Sequence, residues 1–85
     1  MDLRSDHFRD QSRVRFGYVM SVDEAEQRWS HGKKLTNREV HHLGCKFRPG
    51  RLYRSILFGA VVIVRDRETG VFVTIFSTSE VERDH

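Results

Sequence analysis

The chain has little cysteine, little proline and no long hydrophobic run. Its single cysteine, Cys45, excludes an internal disulfide framework, and a reduced cytoplasm therefore fits. No stretch approaches the roughly 20 apolar residues that cross a bilayer, and the first residues do not resemble a signal peptide. The only proline, Pro49, precedes a glycine and predicts a surface turn within residues 45–51. We therefore expect a cytoplasmic protein without a membrane partner.

Charge is moderate in total but unevenly distributed. Lysine and arginine number 15 against 12 acidic residues, for a net charge of +3, which excludes a polycationic tail that binds any polyanion. Between residues 33 and 67, however, the only acidic residues are Glu39 and Asp66. Residues 23–26 and 68–85 are acidic. A basic middle stretch next to a predicted sheet indicates a nucleic-acid partner.

Capping residues predict three short helices, at about residues 6–16, 22–31 and 37–43. Each begins at a hydroxyl-bearing N-cap and ends at a glycine, and the second and third also have a glutamate placed for a capping box. The residues are Ser5 and Gly17 for the first helix, Ser21, Glu24 and Gly32 for the second, and Thr36, Glu39 and Gly44 for the third. Apolar stripes are expected at Phe8, Val14 and Phe16, and at Val22, Ala25 and Trp29.

The C-terminal half predicts an antiparallel β-meander with strands at about 52–58, 60–65 and 71–77. Residues 60–64 are all apolar, which is typical of a central strand or one covered on both faces. The predicted fold is α+β: two or three short N-terminal helices packed on a three-stranded, possibly four-stranded, antiparallel meander. One domain spans residues 1–85, with a frayed tail at 78–85.

The period of two in the last strand leaves two orientations open. Either Val71, Val73 and Ile75 face the core, or Phe72, Thr74 and Phe76 do. A buried Thr74 would be unavailable to a substrate.

Several short motifs lie on the predicted first helix and in the predicted sheet. The first helix carries His7, Gln11 and Arg15 at i, i+4 and i+8, followed by Ser21-Val22-Asp23; Tyr53-Arg54 and Val73-Thr74-Ile75-Phe76 lie in the sheet. This pattern resembles a group of small phage and bacterial proteins similar to the RelE-type branch of the barnase, EndoU, colicin and RelE ribonuclease fold. The resemblance covers residues 7–23 and 51–77, and residues 33–50 look like an insertion.

The resemblance implies a metal-independent endoribonuclease or toxin that needs no cofactor. It assigns an imidazole on the first helix to His7, an arginine on a sheet strand to Arg54, a hydroxyl on the last strand to Thr74, and a further phosphate ligand to Arg15. RNA cleavage by its own 2′-hydroxyl requires proton transfer near neutral pH and a cation beside the charged phosphorane, which histidine and arginine supply. His7 as an ordinary surface residue and Arg15 as a helix C-terminal cation are the alternatives.

A second set of residues is expected to bind nucleic acid. Cations and aromatic side chains alternate there, a composition that binds phosphates and stacks on unpaired bases. The alternating residues are Lys46, Phe47, Arg48, Arg51 and Tyr53, and Lys33 and Lys34 of the basic middle stretch complete the set. The alternative is an ordinary solvated loop in which Phe47 packs into the core. No metal site is expected, because His41 and Cys45 provide only two ligands.

The main alternative is a non-catalytic protein. Gln11 stands where the resemblance implies an arginine, and the C-terminal tyrosine typical of RelE toxins is absent. A phage-type accessory or inhibitory protein, docking on a host protein through a sheet edge or residues 45–51, is therefore a second hypothesis. A toxin paired with an antitoxin is a third, and the oligomeric state stays open.

Overall fold

The structure is a computed structural model that describes residues 2–43 and 52–78. In chain order its elements are α1 (Asp6–Phe16), α2 (Val22–His31), β1 (Lys33–Leu35), α3 (Asn37–His42), β2 (Tyr53–Phe58), β3 (Val61–Asp66) and β4 (Phe72–Ser77). The strands form one four-stranded antiparallel sheet in the order β1-β2-β3-β4. The predicted α+β fold, with helices preceding a meander, is confirmed. No helix among the described residues is long and apolar enough to cross a membrane.

Local capping explains why α1 and α2 lie where the sequence predicts them. The Ser5 hydroxyl accepts a hydrogen bond from the Phe8 amide at 3.0 Å, and Gly17 ends α1 in the left-handed conformation with φ 79°. The Ser21 hydroxyl accepts from the Glu24 amide at 3.1 Å. Gly32 ends α2 differently from the expected left-handed cap, because its backbone is extended with φ −79° and leads directly into β1.

The two predicted capping boxes differ in the structure. The box of α3 forms completely, since Thr36 and Glu39 each bond the other's backbone amide at 3.1 Å. The hydrogen bond pulls the pKa of the Glu39 carboxyl below its ordinary value, with the Lys33 charge adding to the effect. At α2 the Glu24 carboxylate instead accepts a hydrogen bond from the Tyr18 hydroxyl at 2.7 Å, which raises the pKa of Tyr18.

Strand β1 is the element that the sequence did not predict. Its residues were expected to belong to an insertion, but Lys34 pairs with Ile56 and Leu35 with Ser55, so β1 forms an edge of the sheet. A three-residue Lys-Lys-Leu segment has little strand propensity of its own. Pairing with β2, which is distant in sequence, is what makes it a strand.

The main core lies between the sheet and helices α1 and α2. Ile56, Ile63 and Ile75 are directly paired across β2, β3 and β4, and all are at most 2% exposed. We call the side of the sheet that they occupy the helical face. They form one buried cluster with Phe8, Met20, Ala25 and Phe72, against which Phe16, Val22, Trp29 and Val61 pack. The predicted stripe of α2 is therefore confirmed, whereas Val14 of α1 is 77% exposed.

Both faces of β3 are covered, as the apolar run predicted. Val62, Ile63 and Val64 are consecutive and each is 0% exposed, although successive strand residues point to opposite faces. The buried Val40 of α3, Val62 and Val64 lie outside the cluster on the helical face.

A β-bulge decides the orientation of β4, and neither predicted alternation is correct. Val64 pairs with Thr74 but the next residue, Arg65, pairs with Phe72, so Val73 is the extra residue of the bulge. The bulge allows Phe72 and Ile75 to be buried together in the core cluster, although a regular strand would place them on opposite faces.

Ser12 is a buried polar residue of α1, a helix whose predicted apolar stripe has only three residues. It is 0% exposed; its hydroxyl accepts a hydrogen bond from the Met20 amide at 2.7 Å and donates to the Tyr18 carbonyl at 3.0 Å. One side chain thus fixes the chain that connects α1 to α2.

We expect Ser12→Ala to lower the free energy of unfolding by about 1–3 kcal/mol, because it leaves the buried Met20 amide without its acceptor. Urea denaturation monitored by circular dichroism measures this. Ser30→Ala is the matched control, since Ser30 is exposed on α2 and should change stability by no more than about 0.5 kcal/mol. Equal effects of the two substitutions would show that the Ser12 bonds do not stabilise the connection.

Candidate nucleic-acid interface

Two of the residues that the resemblance assigned to catalysis lie on α1. This helix packs on β4 and contributes Phe8 to the cluster on the helical face. His7 is exposed in its first turn, and Arg15 is half-buried in its last. The Arg15 Nε donates to the Gln11 side chain at 3.0 Å, as the i, i+4 spacing predicted.

The other two predicted residues lie on opposite faces of the sheet. Arg54 is two residues from Ile56 and therefore belongs to the helical face, which is the side on which α1 packs. Thr74 precedes Ile75 and pairs with Val64, so it belongs to the opposite face. The structure therefore brings His7 and Arg54 to the same side but does not bring Thr74 to that site.

Most cations of the helical layer are already paired with acidic residues. Arg4 bonds Asp2 at 3.0 Å, and Arg9 bonds both Asp2, at 3.4 Å, and Asp6. The hydrogen bonds from Arg4 hold the pKa of Asp2 below its ordinary value. Arg28 lies 3.9 Å from Glu24 and covers the Phe58 ring, 5.4 Å from its centroid. Arg13 of α1, by contrast, is exposed and forms no ion pair with a described residue.

Four exposed cations without an ion pair to a described residue lie on β1, on β2 and in the turn after β3. We call Lys33, Lys34, Arg54 and Arg67 the basic corner; all four side chains are exposed. Lys34 pairs with Ile56, so its diagonal neighbour on the helical face is Arg54, about 7–8 Å away. Arg67 directly follows β3, and its amide donates to the Leu52 carbonyl at 2.9 Å, which places it beside the beginning of β2.

Arg65 borders the basic corner but is held by the protein itself. Its guanidinium lies 4.5 Å from the centroid of Phe72 and 5.6 Å from that of Trp29. Its Nε donates to the Gly70 carbonyl at 2.7 Å, and another nitrogen bonds the Glu26 carboxylate at 2.5 Å. The sequence placed Arg65 in a basic stretch without giving it a role. Its position two residues after the buried Ile63 indicated that it shares the core face.

The predicted nucleic-acid ligands do not all share the face of Lys34 and Arg54. Tyr53 lies on the opposite face, paired across the strands with Asp66. Lys33 also faces that side, because it pairs with Leu57, but it is exposed on the edge strand. Lys46, Phe47, Arg48 and Arg51 lie outside the described residues, as do Gly44, Cys45 and the tail beyond Thr78.

Comparison with known proteins adds no assignment. Nothing matched the chain among protein-family models, curated proteins or solved structures.

Proposed function

We propose that this protein binds RNA through the basic corner. The single observation that carries the proposal is that Lys33, Lys34, Arg54 and Arg67 are exposed on or beside β1, β2 and β3 without an ion pair to a described residue, whereas Arg4, Arg9 and Arg28 of the helical layer are paired with carboxylates. Release of counterions from a phosphate backbone by such lysines and arginines supplies most sequence-independent affinity for nucleic acid.

A structural role explains only part of the corner. Lysines on an edge strand prevent other chains from pairing with it, and this accounts for Lys33 and Lys34 on β1. Arg54 lies on an inner strand and Arg67 in a turn, where no edge needs protection. A ligand with negative charges would account for the exposed arginines Arg54 and Arg67.

The RelE-type resemblance adds support for RNA as the partner, since an order of helices followed by an antiparallel sheet is what it implies. Its catalytic form has less support, because Arg54 and Thr74 lie on opposite faces. We therefore propose binding without turnover. RNA incubated with the protein in EDTA should remain intact; cleavage that disappears with His7→Ala would instead establish the metal-independent ribonuclease.

We expect the double substitution Lys33→Ala with Lys34→Ala to weaken RNA binding in a salt-dependent manner. Loss of two phosphate contacts should reduce the slope of log K against log[salt] by about 1.4, at about 0.7 per contact on a single strand. Fluorescence anisotropy of a labelled single-stranded RNA across a salt series measures this slope.

Arg13→Ala is the matched control for this substitution. Arg13 is an exposed cation on α1, which packs on β4 at the other edge of the sheet. Its removal changes the net charge without touching the basic corner and should leave the slope nearly unchanged. Equal losses per charge at the two places would show that binding depends on net charge alone and would contradict the proposal.

A further inference from the structure

Two arginines face each other across β2 and β3. Arg54 and Arg65 are directly paired in the register of the two strands. Their Cβ atoms are therefore about 4.5–5.5 Å apart on the helical face, and like charges at this separation destabilise a sheet. Glu26 compensates Arg65, but no described carboxylate forms an ion pair with Arg54. The pair thus has a charge that an external anion could neutralise.

We propose that Arg54 and Arg65 together bind one phosphate group, and that this group is an internal phosphodiester rather than a terminal phosphate. The inference rests on the proposed RNA binding and specifies which chemical group occupies this position. Guanidinium groups suit phosphate because their donors lie in a planar fork that can make two parallel hydrogen bonds.

The two arginines have different roles. Arg65 is the fixed one, because the Gly70 carbonyl, the Glu26 carboxylate and the rings of Phe72 and Trp29 hold its guanidinium. Its side chain is still 21% exposed, so part of it is accessible to solvent. Arg54 is exposed beside it and is free to close on a bound anion. A fixed donor lowers the entropic cost of forming the contact.

Glu26 sets the net charge of the two-arginine site and therefore the charge of the anion that the site should prefer. Two guanidinium groups and one carboxylate give this position a net charge of +1. A phosphodiester carries one negative charge and is matched, whereas a terminal phosphate carries nearly two near neutral pH. The second charge would be repelled by the Glu26 carboxylate, which is 41% exposed and 2.5 Å from Arg65. The site should therefore prefer the interior of a strand to its phosphorylated end.

A titration with two small probes tests this preference. A dinucleoside monophosphate supplies one phosphodiester, and the corresponding nucleoside 5′-monophosphate supplies one dianion at pH 8. Amide chemical shifts of the labelled protein report binding of each. We expect tighter binding of the dinucleotide and a loss of about tenfold or more with Arg54→Ala, since a hydrogen bond to a charged group contributes that much. Arg13→Ala should bind both probes as the wild type does.

The substitution Glu26→Gln tests the charge argument. It removes the repelling carboxylate, so the preference should shift at least severalfold towards the monophosphate. An unchanged preference in a folded Glu26→Gln variant, or unchanged dinucleotide binding by Arg54→Ala, would overturn the inference. The second result is decisive even if Glu26→Gln does not fold, because Arg54 is exposed and its loss should not disturb the core.

The outcomes also separate this inference from the proposed function. Suppose that long RNA binds in a salt-dependent manner that the lysine substitutions weaken, and that Arg54→Ala leaves dinucleotide binding unchanged. Only the two-arginine site would then be excluded. Dinucleotide binding that depends on Arg54, without affinity for long RNA, would remove only the proposed function.

Discussion

Phe72→Ala should lower the free energy of unfolding by about 3–5 kcal/mol, a large share of the total stability of a small domain. Phe72 is 0% exposed, and its ring centroid lies 5.6 Å from that of Phe8 on α1 and 6.1 Å from that of Trp29 on α2. The Arg65 guanidinium also covers this ring. Both helices and the β3–β4 hairpin thus meet on one side chain, and its removal leaves a cavity between them.

Urea denaturation followed by circular dichroism measures this loss. Leu52→Ala is the control, because Leu52 is 54% exposed and its truncation should change stability by no more than about 0.5 kcal/mol. If Phe72→Ala costs less than about 1 kcal/mol, the aromatic cluster does not join the helices to the sheet as described.

Gly32→Ala should destabilise the protein by about 1–3 kcal/mol through overpacking. A Cβ at this position would lie 2.6 Å from the Ile56 Cδ1 and 3.0 Å from the Arg28 carbonyl oxygen. Ile56 is buried in the core and has little room to move. The φ of −79° suits any residue, so the cost arises from contact rather than from backbone strain.

A double-mutant cycle with Ile56→Val tests this cause, because valine lacks the clashing Cδ1. In the wild-type protein, Ile56→Val should lower the free energy of unfolding by about 0.5–1.5 kcal/mol. In the Gly32→Ala variant the same substitution should lower it by less, or raise it. Gly17→Ala is the contrast, since φ is 79° there and a Cβ would meet nothing within 4 Å. Ile56→Val should not restore stability to the Gly17→Ala variant. Additive effects at positions 32 and 56 would contradict the close approach of α2 to β2.

The parts of the fold that depend on neighbouring residues could be predicted from the sequence. The limits of α1 and α2 follow from Ser5, Gly17 and Ser21, whose capping interactions span a few residues. Strand β1 depends on pairing with β2 across a long separation, and the bulge at Val73 depends on what β4 must bury against α1. Local patterns contain neither kind of information.

In the candidate site, too, the sequence predicted individual residues but not the contacts that depend on distant strand pairing. The sequence identified Lys33 and Lys34 as ligand candidates because cations are concentrated in that stretch, and the RelE-type resemblance singled out Arg54. It could not show that Lys34 is a diagonal neighbour of Arg54, or that Arg54 pairs with Arg65, since both relations come from strand register. The same register separates Thr74 from Arg54, which the motif alone had placed in one site.

The most direct test of RNA binding by the basic corner is a chemical-shift map of the labelled protein titrated with single-stranded RNA. The largest amide shifts should occur at β1, at the beginning of β2 and at Arg67, with small shifts along the exposed side of α1. Shifts concentrated on α1, or no shifts at all at low salt, would contradict RNA binding by the basic corner.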